Sequence, residues 1–124
     1  MKRVTGIGGI FFKSADPKAL SAWYRDHLGL DVTDWGGVLF PWGGTDSPVG
    51  MTLWSPFAQD TTYMAPSTAT FMVNFRVADL DAMLAQLRAR GADVAEETQD
   101  LAGVGRFGWV TDPEGNRIEL WQPA

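Results

Sequence analysis

Asp112-Pro113-Glu114-Gly115-Asn116-Arg117-Ile118-Glu119-Leu120-Trp121 reads as a tight turn running into a β-strand. Pro at the second turn position and Gly at the fourth suit a type I turn closed by a left-handed residue, a standard hairpin connection. Strands are therefore expected near 105–111 and 116–122. Pairing Asp112 with Asn116 sets Trp109 opposite Glu119. Side chains alternate along a strand, so Arg117, Glu119 and Trp121 share one face while Ile118 and Leu120 take the other.

The end of this hairpin occurs twice. Leu120-Trp121-Gln122-Pro123 matches Leu53-Trp54-Ser55-Pro56. Upstream, Val73-Asn74-Phe75-Arg76-Val77-Ala78-Asp79 matches Ile10-Phe11-Phe12-Lys13-Ser14-Ala15-Asp16, and Gly91-Ala92-Asp93-Val94 matches Gly29-Leu30-Asp31-Val32. Three matches in the same order, at nearly constant spacing, mark two copies of one unit, about 3–56 and 69–123, within a single domain.

Each copy opens on a strand that ends at an Asp suited to cap a helix. Pro17 fits the first helical position, where its missing N–H has no partner to lose. Helices are expected over 17–28 and 80–90. Leu20, Trp23, Tyr24, His27 and Leu28 form the apolar stripe of the first, and Leu80, Met83, Leu84 and Leu87 that of the second. Gly29 and Gly91 stand where a left-handed C-cap is wanted. Three strands follow each helix, near 31–35, 37–42 and 49–54, and near 93–98, 105–111 and 116–122. Gly43-Gly44-Thr45-Asp46-Ser47-Pro48 is a break between two of them. The fold class expected is α+β: two tandem βαβββ units. The connector 55–68 carries Phe57, Tyr63 and Met64, read here as exposed.

Composition narrows the function. The chain has 124 residues, no cysteine and one histidine, His27. Thiolate metal sites, disulfides, cysteine nucleophiles and multi-imidazole centres are excluded. A net charge of −5 argues against nucleic-acid and anionic-membrane partners. No apolar run is long enough to span a bilayer, and the first residues lead into a strand rather than a signal peptide, so a cytoplasmic location is expected.

Taken together, Asp16-Pro17 through Trp23-Tyr24, Leu28-Gly29-Leu30, Arg76-Val77-Ala78-Asp79-Leu80 and Asp112 through Leu120 resemble the vicinal oxygen chelate superfamily, the glyoxalase, bleomycin-resistance and extradiol dioxygenase group. The resemblance covers essentially the whole chain. It implies curled sheets around a cleft with helices outside, and in the metal enzymes four cleft ligands, usually two His and two Glu. By motif spacing those positions are Gly9, Thr52, Met72 and Glu119. Only Glu119 keeps a ligand side chain, and a thioether such as Met72 is a poor ligand for hard divalent ions. No protein-held metal and no other cofactor is therefore expected, with a divalent metal as the alternative.

On strand alternation, the cleft face carries Ile7, Gly9 and Phe11 from the first strand and Met72, Asn74 and Arg76 from its copy. Thr52 and Trp54, then Trp109, Arg117, Glu119 and Trp121, complete it, with Met51 and Leu53 in the core. Phe11, Thr52, Trp54, Met72, Asn74, Arg76, Trp109, Arg117 and Trp121 are the candidate ligand-binding residues. Glu119 is the candidate catalytic group, since burial raises a carboxyl pKa and suits it to act as a base. It reads equally as a carboxylate satisfied by Arg76, Arg117 or backbone. His27, near a helix C-terminus, reads as structural.

Three functions remain open. The leading one is a metal-independent binder of a small organic molecule in a Trp-lined cleft, with a cationic aromatic favoured by the acidic chain and the indoles. The others are an enzyme, either a metal-assisted lyase or dioxygenase or a metal-free isomerase using Glu119, and a structural or regulatory module without a pocket. A homodimer is expected, because open sheet edges are usually covered.

Overall fold

A computed structural model describes residues 1–43 and 50–124. The Gly44–Pro48 part of the expected break, and Val49 of the expected 49–54 strand, lie outside the described residues.

Strand β1 (Val4–Ser14) leads to helix α1 (Pro17–Leu28), then β2 (Val38–Pro41) and β3 (Met51–Ala58). The second copy runs β4 (Phe71–Val77), α2 (Leu80–Ala89), β5 (Asp93–Val94), β6 (Gln99–Leu101), β7 (Gly105–Thr111) and β8 (Arg117–Pro123). One mixed, curled sheet results, ordered β2-β3-β1-β4-β8-β7-β5 with β6 on β7. The class is α+β, as the duplicated sequence implies.

Local chemistry sets the element ends. The Asp16 carboxylate accepts from the Ala19 N–H at 3.1 Å, and Asp79 accepts from Ala82 at 3.1 Å. Gly29 caps α1 in the left-handed region at φ 71°. At the β7–β8 turn the Asp112 carboxylate accepts from the N–H groups of Glu114 and Asn116, each at 2.9 Å. These bonds hold its pKa below the usual range, the Asn116 backbone bond first.

Two packed clusters flank the sheet. On the helix side, Leu80, Met83 and Leu84 of α2 meet Val77, Val110 and Leu120. On the concave side, Phe11, Met64, Met72, Phe107 and Trp109 pack together. Met64 is 0% exposed. The connector thus folds back into the concave face, and Tyr63 and Phe57 pack beside Met64. Phe57 falls in β3 rather than in the connector, and Tyr63 and Met64 are not the wet residues expected, because apolar side chains gain more by filling a concave apolar face than by facing water.

Three further expectations are corrected. Residues 31–35 form no strand: Thr33 N–H donates to the Gly37 carbonyl at 2.9 Å and Gly36 N–H to the Thr33 carbonyl at 3.0 Å, so the backbone is satisfied within a turn. The strand expected over 93–98 is only Asp93–Val94, with pairing resumed by β6. Helix α1 is turned about its axis: Ser21 is its buried residue, while Trp23, His27 and Leu28 face outward. The Ser21 hydroxyl donates to the Gly36 carbonyl at 2.7 Å, which binds this helix face to the turn. His27 stacks on Trp23 at 4.6 Å, on the outer surface.

Candidate functional site

The concave face is only partly filled. Between β1, β3, β4, β8 and the 103–104 turn lies a cleft of about 560 Å³. Its walls are largely apolar, with Phe11, Leu39, Leu53, Phe107 and Trp121 among them, and its polar side chains among the described residues are Asn74 and Arg76.

Glycine makes this wall possible. A β-bulge between Ile7 and Gly9 breaks the β1 alternation. Gly9 pairs with Asn74 on the cleft side, while Ile7 pairs with Phe75, whose ring packs on the helix-side cluster. Ile7 therefore does not share the cleft face with Gly9. Gly8, the extra residue, lines the cleft instead. A Cβ at Gly8 would overlap Asn74 Oδ1 and press on Trp121 at 3.0 Å and Arg76 at 3.1 Å.

Trp121 is held by two contacts. Its Nε1 donates to the Val104 carbonyl at 3.0 Å, and its ring lies parallel to Phe107 at 6.1 Å. Its face receives the Arg76 guanidinium, 5.0 Å from the ring centroid, and the same guanidinium lies over the Trp42 ring at 5.2 Å. Burial lowers the Arg76 pKa from its usual value. Among the described residues no carboxylate pairs with Arg76.

Glu119 lies beneath the cleft rather than in its wall. It is 1% exposed. Its carboxylate accepts from Asn74 Nδ2 at 2.7 Å, from Trp109 Nε1 at 3.0 Å and from the Tyr63 hydroxyl. Burial pushes its pKa above the ordinary carboxylate range, more than these three donors and the Arg117 charge pull it down. Burial, then the Glu119 charge, raises the Tyr63 phenol likewise. Arg117 lies over the Trp109 ring at 4.8 Å, on the same strand face as Glu119. Asn74 Oδ1 is buried with no hydrogen-bond partner among the described residues.

The structure brings Phe11, Asn74, Arg76 and Trp121 to the cleft wall. It sets Met72 and Trp109 in the packed layer beneath it, with Arg117 and Glu119 beside them. Thr52 and Trp54 are elsewhere. Trp54 packs on Tyr24 at 4.8 Å and Phe12 at 5.3 Å, against α1. The Thr52 hydroxyl donates to the Ile7 carbonyl at 2.6 Å and accepts from Trp42 Nε1 at 2.8 Å. Met51 and Leu53, expected in the core, line the cleft instead.

The cause is register. In the parallel β4–β8 pair Asn74 faces Glu119; in the β1–β3 pair its repeat counterpart, Phe11, faces Ser55. The Leu-Trp-x-Pro match aligns Thr52 with Glu119, an odd offset from Ser55, and an odd offset exchanges the faces of every side chain. Trp42, the last residue of the strand expected near 37–42, was not among the expected cleft residues; it lies just beyond β2 and beside Arg76.

The glyoxalase-like domain family model matches residues 9–121. The chain belongs to the glyoxalase-like domain family. A 52-residue stretch is 40% identical to CFP32 of Mycobacterium tuberculosis, a protein named as a proposed glyoxylase; the match takes in 42% of this chain and 20% of that relative. The fold is similar to methylmalonyl-CoA epimerase from Mycobacterium tuberculosis, with TM-score 0.67 and 25% identity over 98% of this chain and 89% of that one. Streptomyces coelicolor methylmalonyl-CoA epimerase, in complex with 2-nitronate-propionyl-CoA, superposes with TM-score 0.70 at 20% identity, over 98% and 99% of the two chains. A glyoxalase/bleomycin resistance protein/dioxygenase superfamily member from Vibrio splendidus gives 0.58 at 15% identity, over 98% and 99%.

The donor set of this glyoxalase-like domain does not fit a divalent cation at the superfamily's ligand positions. Gly9 offers no side chain, Met72 is a buried thioether, and the register counterpart of Glu119 is Ser55. The Glu119 carboxylate already takes three donors. Among the described residues no three His, Cys, Asp or Glu side chains gather, and no helix is long and apolar enough to cross a membrane.

Proposed function

We propose that this glyoxalase-like domain is a metal-independent binding protein for a small organic molecule, held in the cleft against Trp121. The cleft itself carries the reading: about 560 Å³, mostly apolar, with a few convergent polar groups. That volume and lining are ordinary for small-molecule sites. The wall is pre-formed, since Trp121 is fixed by Val104 and Phe107, and fixed walls lower the ordering cost of binding. Binding of a CoA ester by the Streptomyces coelicolor neighbour supports an organic ligand in this fold.

Titration of tryptophan emission with small aromatic compounds tests the reading, alongside metal analysis of protein purified without chelators. Saturable quenching that EDTA leaves unchanged is expected. Near-stoichiometric nickel, zinc, manganese or iron would overturn metal independence. Titrations that never saturate would overturn the binding site.

A second reading, proton transfer by Glu119 in a metal-free isomerase, has the raised carboxyl pKa in its favour. Against it, Glu119 is shielded under Asn74 and Tyr63. Turnover abolished by Glu119→Gln with ligand affinity retained would establish it.

The same proposal includes a homodimer and a cytoplasmic location. Ile7 (45%), Ile10 (38%) and Phe71 (45%) are exposed on β1 and β4, and β2, an edge strand, exposes Leu39 and Phe40. A second copy of the chain would cover such surfaces. Sedimentation equilibrium reads the dimer, and finding only a 13.6 kDa species at micromolar concentration would refute it. Cell fractionation reads the location.

A further inference from the structure

We infer that the cleft selects an organic anion, a flat apolar body carrying a carboxylate or phosphoryl group, and that Arg76 receives the anionic end. The inference rests on the binding reading above and names its ligand class. It reverses the cationic preference drawn from the acidic chain and the indoles.

Among the described residues, the charged side chain in the cleft wall is opposite in sign to the molecule's net charge. The chain carries −5, yet no acidic side chain lines the cleft among the described residues. The carboxylate expected there, Glu119, is buried beneath the wall and engaged by three donors. Among the described residues, Arg76 is the charged side chain that lines the cleft. At contact range a local cation outweighs dispersed surface acids, whose fields are screened beyond about 8–10 Å.

The guanidinium geometry points the same way. The Arg76 Cζ lies over two indole rings, Trp42 at 5.2 Å and Trp121 at 5.0 Å. Stacking uses the faces and leaves the N–H donors at the edge. Among the described residues none of those donors has a protein acceptor. A guanidinium in contact with two indole rings has fewer positions open to it before the ligand arrives, and carboxylate or phosphate oxygens match its planar fork. The apolar wall built by Phe11, Leu53 and Phe107 takes the body of the molecule.

Four matched probes test this: phenylacetate, phenyl phosphate, benzyl alcohol and phenethylammonium, titrated against tryptophan emission in the wild-type protein. The anions are expected to bind about tenfold or more tighter than the alcohol, in line with charge-assisted hydrogen bonds, and the cation weakest. The two anions separate carboxylate from phosphoryl preference. Arg76→Gln is expected to erase the anion preference while retaining alcohol binding, and Arg76→Lys to keep the preference at reduced affinity. The wild-type ranking stands whether or not either variant folds. If alcohol or cation binds as tightly as the anions, and Trp121→Leu weakens that binding, the anion inference fails while the cleft reading survives. If no probe binds, the cleft reading fails and takes the inference with it.

Discussion

Asn74 and Glu119 face one another across the parallel β4–β8 pair, and the Asn74 amide donates to the Glu119 carboxylate at 2.7 Å. Strand register thus fixes a buried polar pair under the cleft floor. The other Asn74 amide atom, Oδ1, is directed at Gly8 and has no partner among the described residues. One side chain therefore links the cleft wall to the buried carboxylate.

Substituting Glu119 separates its charge from its hydrogen bonds. In Glu119→Gln the new NH2 can face a flipped Asn74, whose Oδ1 then accepts, while the remaining oxygen still receives Tyr63 and Trp109. Stability within about 1 kcal/mol of wild type is expected. Glu119→Ala strands three donors and should cost about 2–4 kcal/mol. Urea denaturation at neutral pH measures both.

The same carboxyl has a pH signature. Burial raises its pKa on folding from the ordinary value of 4.5, so the folded protein holds the proton more tightly than the unfolded chain. Stability from this group is fully present below pH 4.5 and is lost as pH rises through the folded pKa. Glu119→Gln has no such loss. The stability of wild type relative to Glu119→Gln should therefore fall with rising pH over that window and then level off. A flat difference across the window would mean that the donors balance the burial.

Gly8→Ala should destabilise by about 1–3 kcal/mol, the usual range for overpacking. The added Cβ meets Asn74, which its bond to Glu119 holds in place. Combining it with Asn74→Ala should cost less than the sum of the single changes, since the second substitution removes the clash. A double-mutant cycle by thermal denaturation reads the coupling.

Met64→Ala should cost about 2–5 kcal/mol, the range for emptying a large core side chain. Met64 is 0% exposed among Phe11, Met72, Phe107 and Trp109. An exposed connector would lose almost nothing, so denaturant midpoints distinguish the two arrangements directly.

Much of this fold was written in short-range chemistry. Asp16, Asp79 and Gly29 act through local backbone bonds, which is why the helix starts and the first helix end were legible. Asp112 and Asn116 fixed the hairpin, and with it Trp109 opposite Glu119. On the cleft side, Phe11, Asn74, Arg76 and Trp121 followed from strand alternation. The misplacements were of another kind. Ile7 depends on a bulge, Thr52 and Trp54 on the parallel register of β3 against β1, and Met64 on a connector folding back. Each is a long-range choice that no periodicity in its own segment records. Arg76 was legible as a cleft residue, whereas its contacts with the Trp42 and Trp121 rings were not.

Trp54 and Trp121, matched in sequence, should separate in experiment. Trp54 sits between Tyr24 and Phe12 and joins α1 to the sheet. Trp121 lines the cleft, with Arg76 on its face. Trp54→Leu removes aromatic packing between layers and should cost about 1–3 kcal/mol, while aromatic-probe affinity stays at the wild-type value. Trp121→Leu removes a cleft wall and one stacking face for Arg76, so affinity should fall about tenfold while stability changes less. Denaturation and probe titration on both variants give a crossed pattern if β3 holds the register seen here. Were Trp54→Leu to weaken binding as much as Trp121→Leu, Trp54 would have to face the cleft, with β3 shifted by one residue against β1.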